Sequence, residues 1–513
     1  MLAPYAAFGR RACHTRMSVS EAPLVRVSSG TPQRTVEELS EELGWAWYQW
    51  RLFIFVGLCV AADAIEVNLL SFVSVEATKD WQLEEFGEDT ISAAVFGGQA
   101  VGCAVFGLFA DRYGRLPAFL TGVAFVSVFG AASSLTTNLT QLIAMRFGVG
   151  VGIGGFTVPF DLLAETCPSS LRGIVLCAVW IFWTFGSVAL NVLAAYCLSE
   201  SVESDGGKLR GWRWLTFLAA LPATISLCGI HVIDESPAWL AANGRRHEAK
   251  AVIMRVAKTN GVKLNENFEV SPGSKRSAGV TQLFDTTNCF RTVCLWTLNF
   301  ASIFGYYGVV IFLPRIFGAS AGDPYNFGAL LLSCIGEVLG SLVACYLVQY
   351  MERKTLLACS SSALALSIPI VLMHRAPTWA MLCAALVARG AANVSSLLTW
   401  LVTPEGYGVE VRATGHSWGN LISRVGGVIT TYLGGAQIDD SIKACSYVFT
   451  ALLMVVIALV MPRGVMTGSG PSEAESSSEA NVIYVEGRQN VDGYGARAST
   501  DFRGDSDPHV KNY

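Results

Sequence analysis

Long apolar runs dominate this sequence and constrain its fold more than any other feature. A helix that crosses the hydrocarbon core of a bilayer needs about 20 mostly apolar residues. Charged residues make up 15% of the chain, well below the about 25% of soluble proteins. The sequence therefore predicts an all-α membrane protein. Its twelve spans are predicted at residues 51–75, 89–110, 116–134, 139–163, 173–198, 213–233, 291–314, 325–348, 356–373, 378–401, 413–434 and 444–461.

A polar stretch divides these spans into two sets of six that repeat each other. "AETCPSSLRG" follows the fourth span and "TPEGYGVEVRATG" the tenth, each with a Glu and an Arg seven residues apart. A six-plus-six repeat is typical of transporters that hold substrate between the halves, near the bilayer midplane. The predicted units are a tail at 1–50, a six-helix bundle at 51–233, a central loop at 234–290, a second bundle at 291–461 and a disordered tail at 462–513.

Basic residues predict which side of the membrane the termini occupy. Six arginines precede or begin the first span, the last being Arg51, and nine Lys/Arg lie between Arg245 and Arg291 in or beside the central loop. Cytosolic segments carry this excess of positive charge, so both termini are predicted to be cytosolic. Residues 1–20 contain three arginines and no acid, a composition that fits either an organellar targeting segment or an ordinary cytosolic tail. The compartment is left open.

Several other classes of protein are disfavoured. The fourteen cysteines include no C-x-x-C pair, and no metal-ligand cluster, nucleophile–base set or cofactor motif is evident. The glycines at 150, 152 and 155 fit G-x-G-x-x-G, but they lie within a span, where small residues favour close helix packing rather than a nucleotide site. No basic patch with interleaved aromatics indicates nucleic acid. The predicted partners are a small-molecule substrate, protons and membrane lipid, and no enzyme activity, cofactor or metal is predicted.

Two acids, Asp63 and Glu66, lie in the middle of the first span. Charged groups at this depth are costly and usually functional. At 1.5 Å per residue, Asp63 lies roughly 18 Å from the outer end of its span and Arg146 roughly 12 Å from the same face. We therefore predict that Asp63 and Arg146 pair. Protonation of the acid would release the arginine and drive a conformational change; the alternative is a permanent structural ion pair. Glu66 would share the proton or contact substrate.

Three motifs resemble the major facilitator superfamily. They are "GLFADRYGRL" (107–116), "RFGVGVGIGGFTVPFDLLAETCPSSLRG" (146–173) and, in the manner of sugar porters, "DESPAWLAANGRRHEAKAVI" (234–253). The resemblance implies twelve helices in two pseudo-symmetric bundles and, in proton-coupled sugar porters, a switch formed by a first-span Asp and a fourth-span Arg. The residues predicted to control the gates are Asp111, Arg115, Asp161, Glu165, Arg172, Glu405 and Arg412.

A narrower resemblance is to the synaptic-vesicle-two-related branch and the nicotinate and organic-ion carriers near it. The segments that carry it are "RTVEELSEELGWAWYQWRLFIFVG" (34–57), "AADAIEVNLLS" (61–71), "FGYYGVVIF" (304–312), "SCIGEVLGS" (333–341) and "EVRATGHSWGNLISRVGGVIT" (410–430). Together they cover about 34–461. Gln349 and Glu352 stand where that branch usually has an Asp and a Gly, so the second gate is predicted to be weaker.

The candidate substrate contacts are intramembrane polar and aromatic side chains. A buried Arg424 can hold a carboxylate bidentately; the alternative is that it pairs with Glu337. The aromatics could stack on a planar ligand or simply pack between helices. The full set is Glu66, Trp183, Asn191, Asn299, Tyr306, Tyr307, Glu337, Trp400 and Arg424.

These features predict a transporter that moves a small polar solute by alternating access, with an organic anion such as a nicotinate-like aromatic acid as substrate and protons as the coupling ion. A proton-coupled sugar carrier is the alternative with the same fold. The alternative from another class is a membrane protein that binds a ligand or partner without transporting it.

Overall fold

The structure, a computed structural model, describes residues 32–82, 86–198, 211–273, 280–286, 288–321, 327–371, 377–407, 411–433 and 440–461. The predictions about residues 1–20 and the tail from 462 lie outside the described residues.

Helices occupy all twelve predicted spans. The first half comprises span 1 (Trp47–Trp81), span 2 (Phe86–Tyr113), span 3 (Arg115–Ser133), span 4 (Leu139–Gly154 and Thr157–Thr166), span 5 (Ser169–Val179 and Ile181–Cys197) and span 6 (Gly211–Ala219, Leu221–Ser226 and the 3-10 turn Leu227–His231). The second half comprises span 7 (Cys289–Ala321), span 8 (Phe327–Leu347), span 9 (Arg353–Val371), span 10 (Thr378–Glu405), span 11 (Arg412–Leu433) and span 12 (Asp440–Val460).

Within the residues that the structure describes, ten helical spans are long and apolar enough to cross a membrane. Of the other two, span 6 is divided into short segments and span 11 contains the polar side chains of His416, Asn420 and Arg424. Span 4 is interrupted after Gly154, four to five residues before Pro159. Proline has no backbone N–H to donate to the carbonyl oxygen one turn earlier, and its ring crowds that carbonyl. These two effects explain the break. The described helices are those of an integral multi-pass membrane protein.

Glycines bring the backbones of spans 2 and 4 together. A Cβ added at Gly102 would lie 2.1 Å from the carbonyl oxygen of Val151, and one at Gly150 would lie 2.1 Å from that of Val95. Spans 8 and 10 repeat this contact, because a Cβ at Gly336 would lie 2.1 Å from the carbonyl oxygen of Leu386. The glycine pattern within span 4 is therefore a packing feature, as predicted.

The two halves meet through aromatic side chains at both ends of the bundle. At one end, the rings of Phe72 and Phe327 stack with their centroids 6.2 Å apart. At the other end, Trp400 contacts Trp180 and Phe160, with centroids 5.4 and 6.0 Å away. Between these contacts lie the buried charged residues described below.

The segment before span 1 and the segment after span 6 fold together into a small lobe, here called the central-segment lobe (residues 32–45 and 234–273). Its strands Gln33–Arg34 and Glu269–Val270 pair in parallel. Its helices are Val36–Leu43, Pro237–Ala242 and Arg246–Asn260. Apolar side chains form the core of the lobe, and they include Leu39, Leu43, Trp239, Leu240, Val252, Ile253, Phe268 and Val270.

Glu41 fastens this lobe to the beginning of span 5. Its carboxylate accepts hydrogen bonds from the Ser169 hydroxyl, from the Ser170 amide at 2.9 Å and from the Ser170 hydroxyl at 3.1 Å. The first amides of a helix lack partners within the helix and favour an anion. The same hydrogen bonds, led by the one from Ser169, hold the pKa of Glu41 below its ordinary value.

We expect Glu41→Gln to loosen the helix Val36–Leu43 from span 5 without unfolding the bundle, since a neutral amide accepts weaker hydrogen bonds. Amide hydrogen exchange in residues 36–43 should become severalfold faster. The pKa of Glu41 is lowered in the folded protein, so the contact is present above the ordinary glutamate pKa and is lost as the pH falls through the lowered value. Glu37→Gln, on the same helix, is the matched control. Equal exchange in the two variants would show that Glu41 does not fasten the lobe.

Candidate functional site

A first polar cluster joins the two halves around Arg424 of span 11. Its Nη1 donates to Gln99 Oε1 of span 2 at 2.8 Å and to the Tyr307 hydroxyl of span 7 at 3.0 Å. Arg424 is 4% exposed, and its charge acts on Asp63 of span 1. The ring of Phe96 lies against Tyr307, with centroids 4.6 Å apart. We call Asp63, Phe96, Gln99, Tyr307 and Arg424 the Arg424 cluster.

Three polar atoms of the Arg424 cluster are buried and have no hydrogen-bond partner in the part of the chain that the structure describes. They are Asp63 Oδ1, Gln99 Nε2 and Arg424 Nε. Buried polar groups are nearly always hydrogen-bonded, because losing water without gaining a partner costs roughly 1–3 kcal/mol. One acceptor and two donors in a single cluster are therefore suited to bind a polar ligand.

The side chains of a second cluster bond to one another, and among the described residues Glu337 Oε2 has no hydrogen-bond partner. Arg389 of span 10 donates to Glu337 Oε1 at 2.8 Å and to Asn68 Oδ1 of span 1 at 2.9 Å. The Tyr306 hydroxyl donates to the same Glu337 oxygen at 2.8 Å and accepts from Trp183 Nε1 at 2.5 Å. Both Asn68–Arg389 and Trp183–Tyr306 cross between the halves, so this cluster fastens the halves at mid-bundle.

A third pair lies within the first half. Arg146 Nη1 donates to Glu66 Oε2 at 2.7 Å, and both side chains are almost completely buried. Glu66 Oε1 and two further nitrogens of Arg146 have no hydrogen-bond partner.

Two predicted pairings are wrong. Arg146 pairs with Glu66 rather than with Asp63, because Glu66 faces span 4 whereas Asp63 interacts with the charge of Arg424. The alternative in which Arg424 pairs with Glu337 is also wrong, since the partner of Glu337 is Arg389. Within the described residues, Arg424 and Asp63 form no ion pair.

The other candidate substrate contacts are dispersed. Trp400 lies against Trp180, Phe160 and His416 at one end of the bundle, away from the Arg424 cluster. Asn299 donates to Leu295 O and Thr403 Oγ1, both at 2.8 Å, within the second half. Asn191 donates to Ser187 O at 2.8 Å and approaches Cys334 Sγ at 3.4 Å, next to the second cluster. Tyr307 and Arg424 are the predicted substrate contacts that meet in the Arg424 cluster.

The gate candidates of the first half converge at the end that bears the central-segment lobe. Arg115 Nη1 contacts Asp111 Oδ1 at 2.7 Å, and Arg115 Nε lies 3.5 Å from Glu165 Oε1. Asp161 interacts with the charge of the same arginine. Glu165 also accepts from the Ser236 hydroxyl of the lobe. This arginine therefore links the beginning of span 3 to the end of span 4.

Glu235 reinforces that link from the lobe. Its carboxylate accepts hydrogen bonds from the amides of Arg115 at 2.9 Å and Leu116 at 3.3 Å, and burial raises its pKa. Arg172, the remaining candidate in this half, interacts with the thiol of Cys167.

The second half contains an equivalent ion pair. Arg353 begins span 9 and its Nη1 lies 2.5 Å from Glu405 Oε2 at the end of span 10. The pair occupies the position that Arg115 and Glu165 occupy in the first half. The side chain of Arg412, the predicted partner seven residues after Glu405, lies outside the described residues.

Sequence reasoning missed Gln99, Phe96 and Asn68, and it did not assign a role to Arg389. The missed residues are uncharged, so they do not stand out in an apolar span as a carboxylate does. A search for single polar residues within apolar spans could have suggested Gln99, which is the sole amide side chain of span 2. Among the described residues, no group of three or more His, Cys, Asp or Glu could hold a metal ion.

The family model described as "Sugar (and other) transporter" matches residues 47–471. The niacin transporter NiaP of Acinetobacter baylyi is 28% identical over 432 residues, which cover 81% of this chain and 94% of that protein. Organic cation/carnitine transporter 7 of Arabidopsis thaliana is 25% identical, with 85% and 94% covered. The synaptic vesicle 2-related protein of Xenopus laevis is 25% identical, with 89% and 85% covered.

Among solved structures, the partially occluded inward-open conformation of the xylose transporter XylE from E. coli has the same fold. Its TM-score is 0.64 at 15% sequence identity, with 81% of this chain and 97% of that chain covered. XylE bound to 6-bromo-6-deoxy-D-glucose gives a TM-score of 0.63. The chain belongs to the sugar (and other) transporter family, and it is a membrane transporter of the major facilitator superfamily.

Proposed function

We propose that this member of the sugar (and other) transporter family carries a small organic anion, binds its carboxylate at Arg424, and couples its movement to protons through Asp63. The observation that carries the proposal is Arg424 itself. Among the described residues it forms no ion pair and its Nε has no hydrogen-bond partner, whereas Arg146 and Arg389 each have a carboxylate partner. An unpartnered guanidinium N–H can donate a charge-assisted hydrogen bond to a carboxylate oxygen.

The aromatic residues of the cluster suit a planar anion. The rings of Phe96 and Tyr307 pack against each other with a tilt of 34° between their planes, and Tyr307 contacts the Arg424 guanidinium. Rings of this kind provide a large apolar contact to a flat ligand. Niacin, which one relative is named for, is an aromatic carboxylate and has this combination of charge and shape.

The balance of buried charge supports coupling to protons. In the described residues, the buried charged side chains are three acids (Asp63, Glu66, Glu337) and three arginines (Arg146, Arg389, Arg424). A substrate carboxylate would add an unbalanced negative charge, and the ionised Asp63 would repel it. Asp63 is the acid of this set without an arginine partner, so its protonation restores neutrality at the least cost.

Gating belongs to the clusters at the end that bears the central-segment lobe. The Asp111–Arg115–Glu165 cluster and the Arg353–Glu405 pair each join two spans of one half. Asp161, Arg172 and Arg412 would assist them. Alternating access would break and re-form the aromatic contacts at either end while the Arg424 cluster holds substrate. The excess of Lys and Arg supports a cytosolic location for the lobe and for both termini.

The second candidate is a proton-coupled sugar carrier. The observation that favours it is the match to a family named for sugar transport. A neutral sugar would use Gln99, Asp63 and Arg424 as hydrogen-bonding groups and would not need a charge-balancing proton.

Uptake by purified protein in liposomes tests these proposals. Nicotinate, nicotinamide, glucose and carnitine are offered with and without an inward proton gradient. We expect nicotinate to accumulate with the gradient. Asp63→Asn should abolish uphill accumulation, because the asparagine cannot change charge, and should spare exchange of nicotinate across the membrane.

Accumulation of nicotinate by Asp63→Asn under a proton gradient would place coupling elsewhere. Uptake of glucose in preference to nicotinate would support the sugar carrier instead. Binding without any uptake of these solutes would support the third alternative, a ligand-binding protein that does not transport them.

A further inference from the structure

Gln99 has an unusual hydrogen-bonding state within the Arg424 cluster. The side chain is completely buried in span 2. Its Oε1 accepts from Arg424 Nη1 at 2.8 Å, while its Nε2 has no partner.

The orientation of this amide is set by its neighbour. A guanidinium has only donors, so the group that faces it must be the carbonyl oxygen of Gln99 and not its nitrogen. The two N–H groups of the amide then point away from the guanidinium. If the amide served only to orient Arg424, its N–H donors would stay buried without hydrogen bonds, which costs free energy.

We propose that Gln99 is a specificity-determining residue that donates Nε2–H to a carboxylate oxygen of the substrate held at Arg424. The inference rests on the proposed function, because it assumes an anion at Arg424. It adds a second donor, from the other half of the protein, to the recognition of that anion.

The position of Gln99 gives this contact a consequence for transport. Gln99 belongs to the first half and Arg424 to the second, and spans 2 and 11 pack extensively against each other. An anion bound by both side chains stabilises the contact between the halves. A neutral analogue with one acceptor oxygen, such as a primary amide, bridges Gln99 and Arg424 only in part. The two side chains together therefore favour carboxylates over amides.

The competing explanation is that Gln99 only positions Arg424. Gln99→Glu separates the two roles. A glutamate at this position still accepts from Arg424, and does so more strongly as a charged partner, but it has no donor and repels an anion. Positioning would survive this change, so retained nicotinate affinity would mean that Gln99 only positions Arg424.

The experiment measures binding of nicotinate and nicotinamide to the purified full-length protein by thermal shift and by equilibrium titration at fixed pH. In Gln99→Glu we expect nicotinate affinity to fall by at least tenfold and nicotinamide affinity to change by less than threefold. Gln99→Met keeps the length of the side chain and removes both polar atoms. It should lose nicotinate affinity by a smaller factor, since it adds no repulsion.

Nicotinate affinity within threefold of the parent in Gln99→Glu would overturn the inference. If that variant does not fold, unchanged nicotinate affinity in Gln99→Met would overturn it equally. Arg424→Gln is measured in parallel. If Arg424→Gln loses the preference for nicotinate over nicotinamide and Gln99→Glu keeps it, the role of Gln99 is rejected and the proposed function stands. If Arg424→Gln keeps the preference for nicotinate over nicotinamide, the proposed function is rejected.

Discussion

Replacing Arg424 by glutamine is expected to lower the affinity for carboxylate ligands by at least tenfold and to leave their neutral amides nearly unaffected. Removing one partner of a buried charge contact typically costs about 2–5 kcal/mol, and a factor of ten in affinity needs only about 1.4 kcal/mol. The guanidinium is 4% exposed, so water cannot easily replace it. The measurement is competition between nicotinate and nicotinamide for binding to the parent and the variant.

Arg424→Lys is the matched variant for this prediction. It keeps the positive charge and loses the planar fork. Recovery should therefore be partial. If carboxylates lose no more affinity than amides in Arg424→Gln, the arginine has a structural role and the anion proposal loses its main support.

The number and order of the spans could be predicted from the sequence because each span needs a continuous apolar run. Close helix packing at the glycines of span 4 was also predictable, and Gly150 and Gly154 leave room for the backbone of span 2 whereas Gly152 leaves room for that of span 3. Span 6 was predicted as one run, but its short segments are broken near Leu221–Pro222, which composition alone does not indicate.

The pairing of charges could not be predicted in the same way. Depth along a helix fixes one coordinate, and it placed Asp63, Glu66 and Arg146 at similar heights. The direction in which a side chain points decides its partner, and residues three apart differ by about 60° around the helix at 100° per residue. That angle is enough for Glu66 to face Arg146 and for Asp63 to lie near Arg424. It cannot be read without knowing which face of span 1 meets span 4.

The predicted weakness of the second gate rested on the loop between spans 8 and 9. Gln349 and Glu352 do depart from the resembling pattern, yet Arg353 reaches Glu405 from the first residue of span 9. A sequence motif is matched position by position along the loop. An ion pair between spans depends instead on which side chain faces the neighbouring span. Whether the gate is weaker stays a prediction.

Loss of the Glu66 carboxylate is expected to have the largest effect on stability. Glu66→Gln would leave the Arg146 charge buried and unpaired, and breaking such a pair typically costs about 3–5 kcal/mol. Asp63→Asn, three residues earlier on the same helix, is the matched control. Its Oδ1 has no hydrogen-bond partner, so the amide replaces a group that contributes little to folding.

The two variants should therefore separate stability from transport. In thermal unfolding of the detergent-purified protein, Glu66→Gln should unfold at a clearly lower temperature than the parent, and Asp63→Asn should unfold close to the parent. Removing both charges in Glu66→Gln/Arg146→Met should recover part of the loss, because no isolated buried charge remains. The coupling energy from this double-mutant cycle then measures the pair. A Glu66→Gln variant as stable as the parent, with Asp63→Asn destabilised instead, would mean that Asp63 is the structural acid and that Glu66 is the one free to carry a proton.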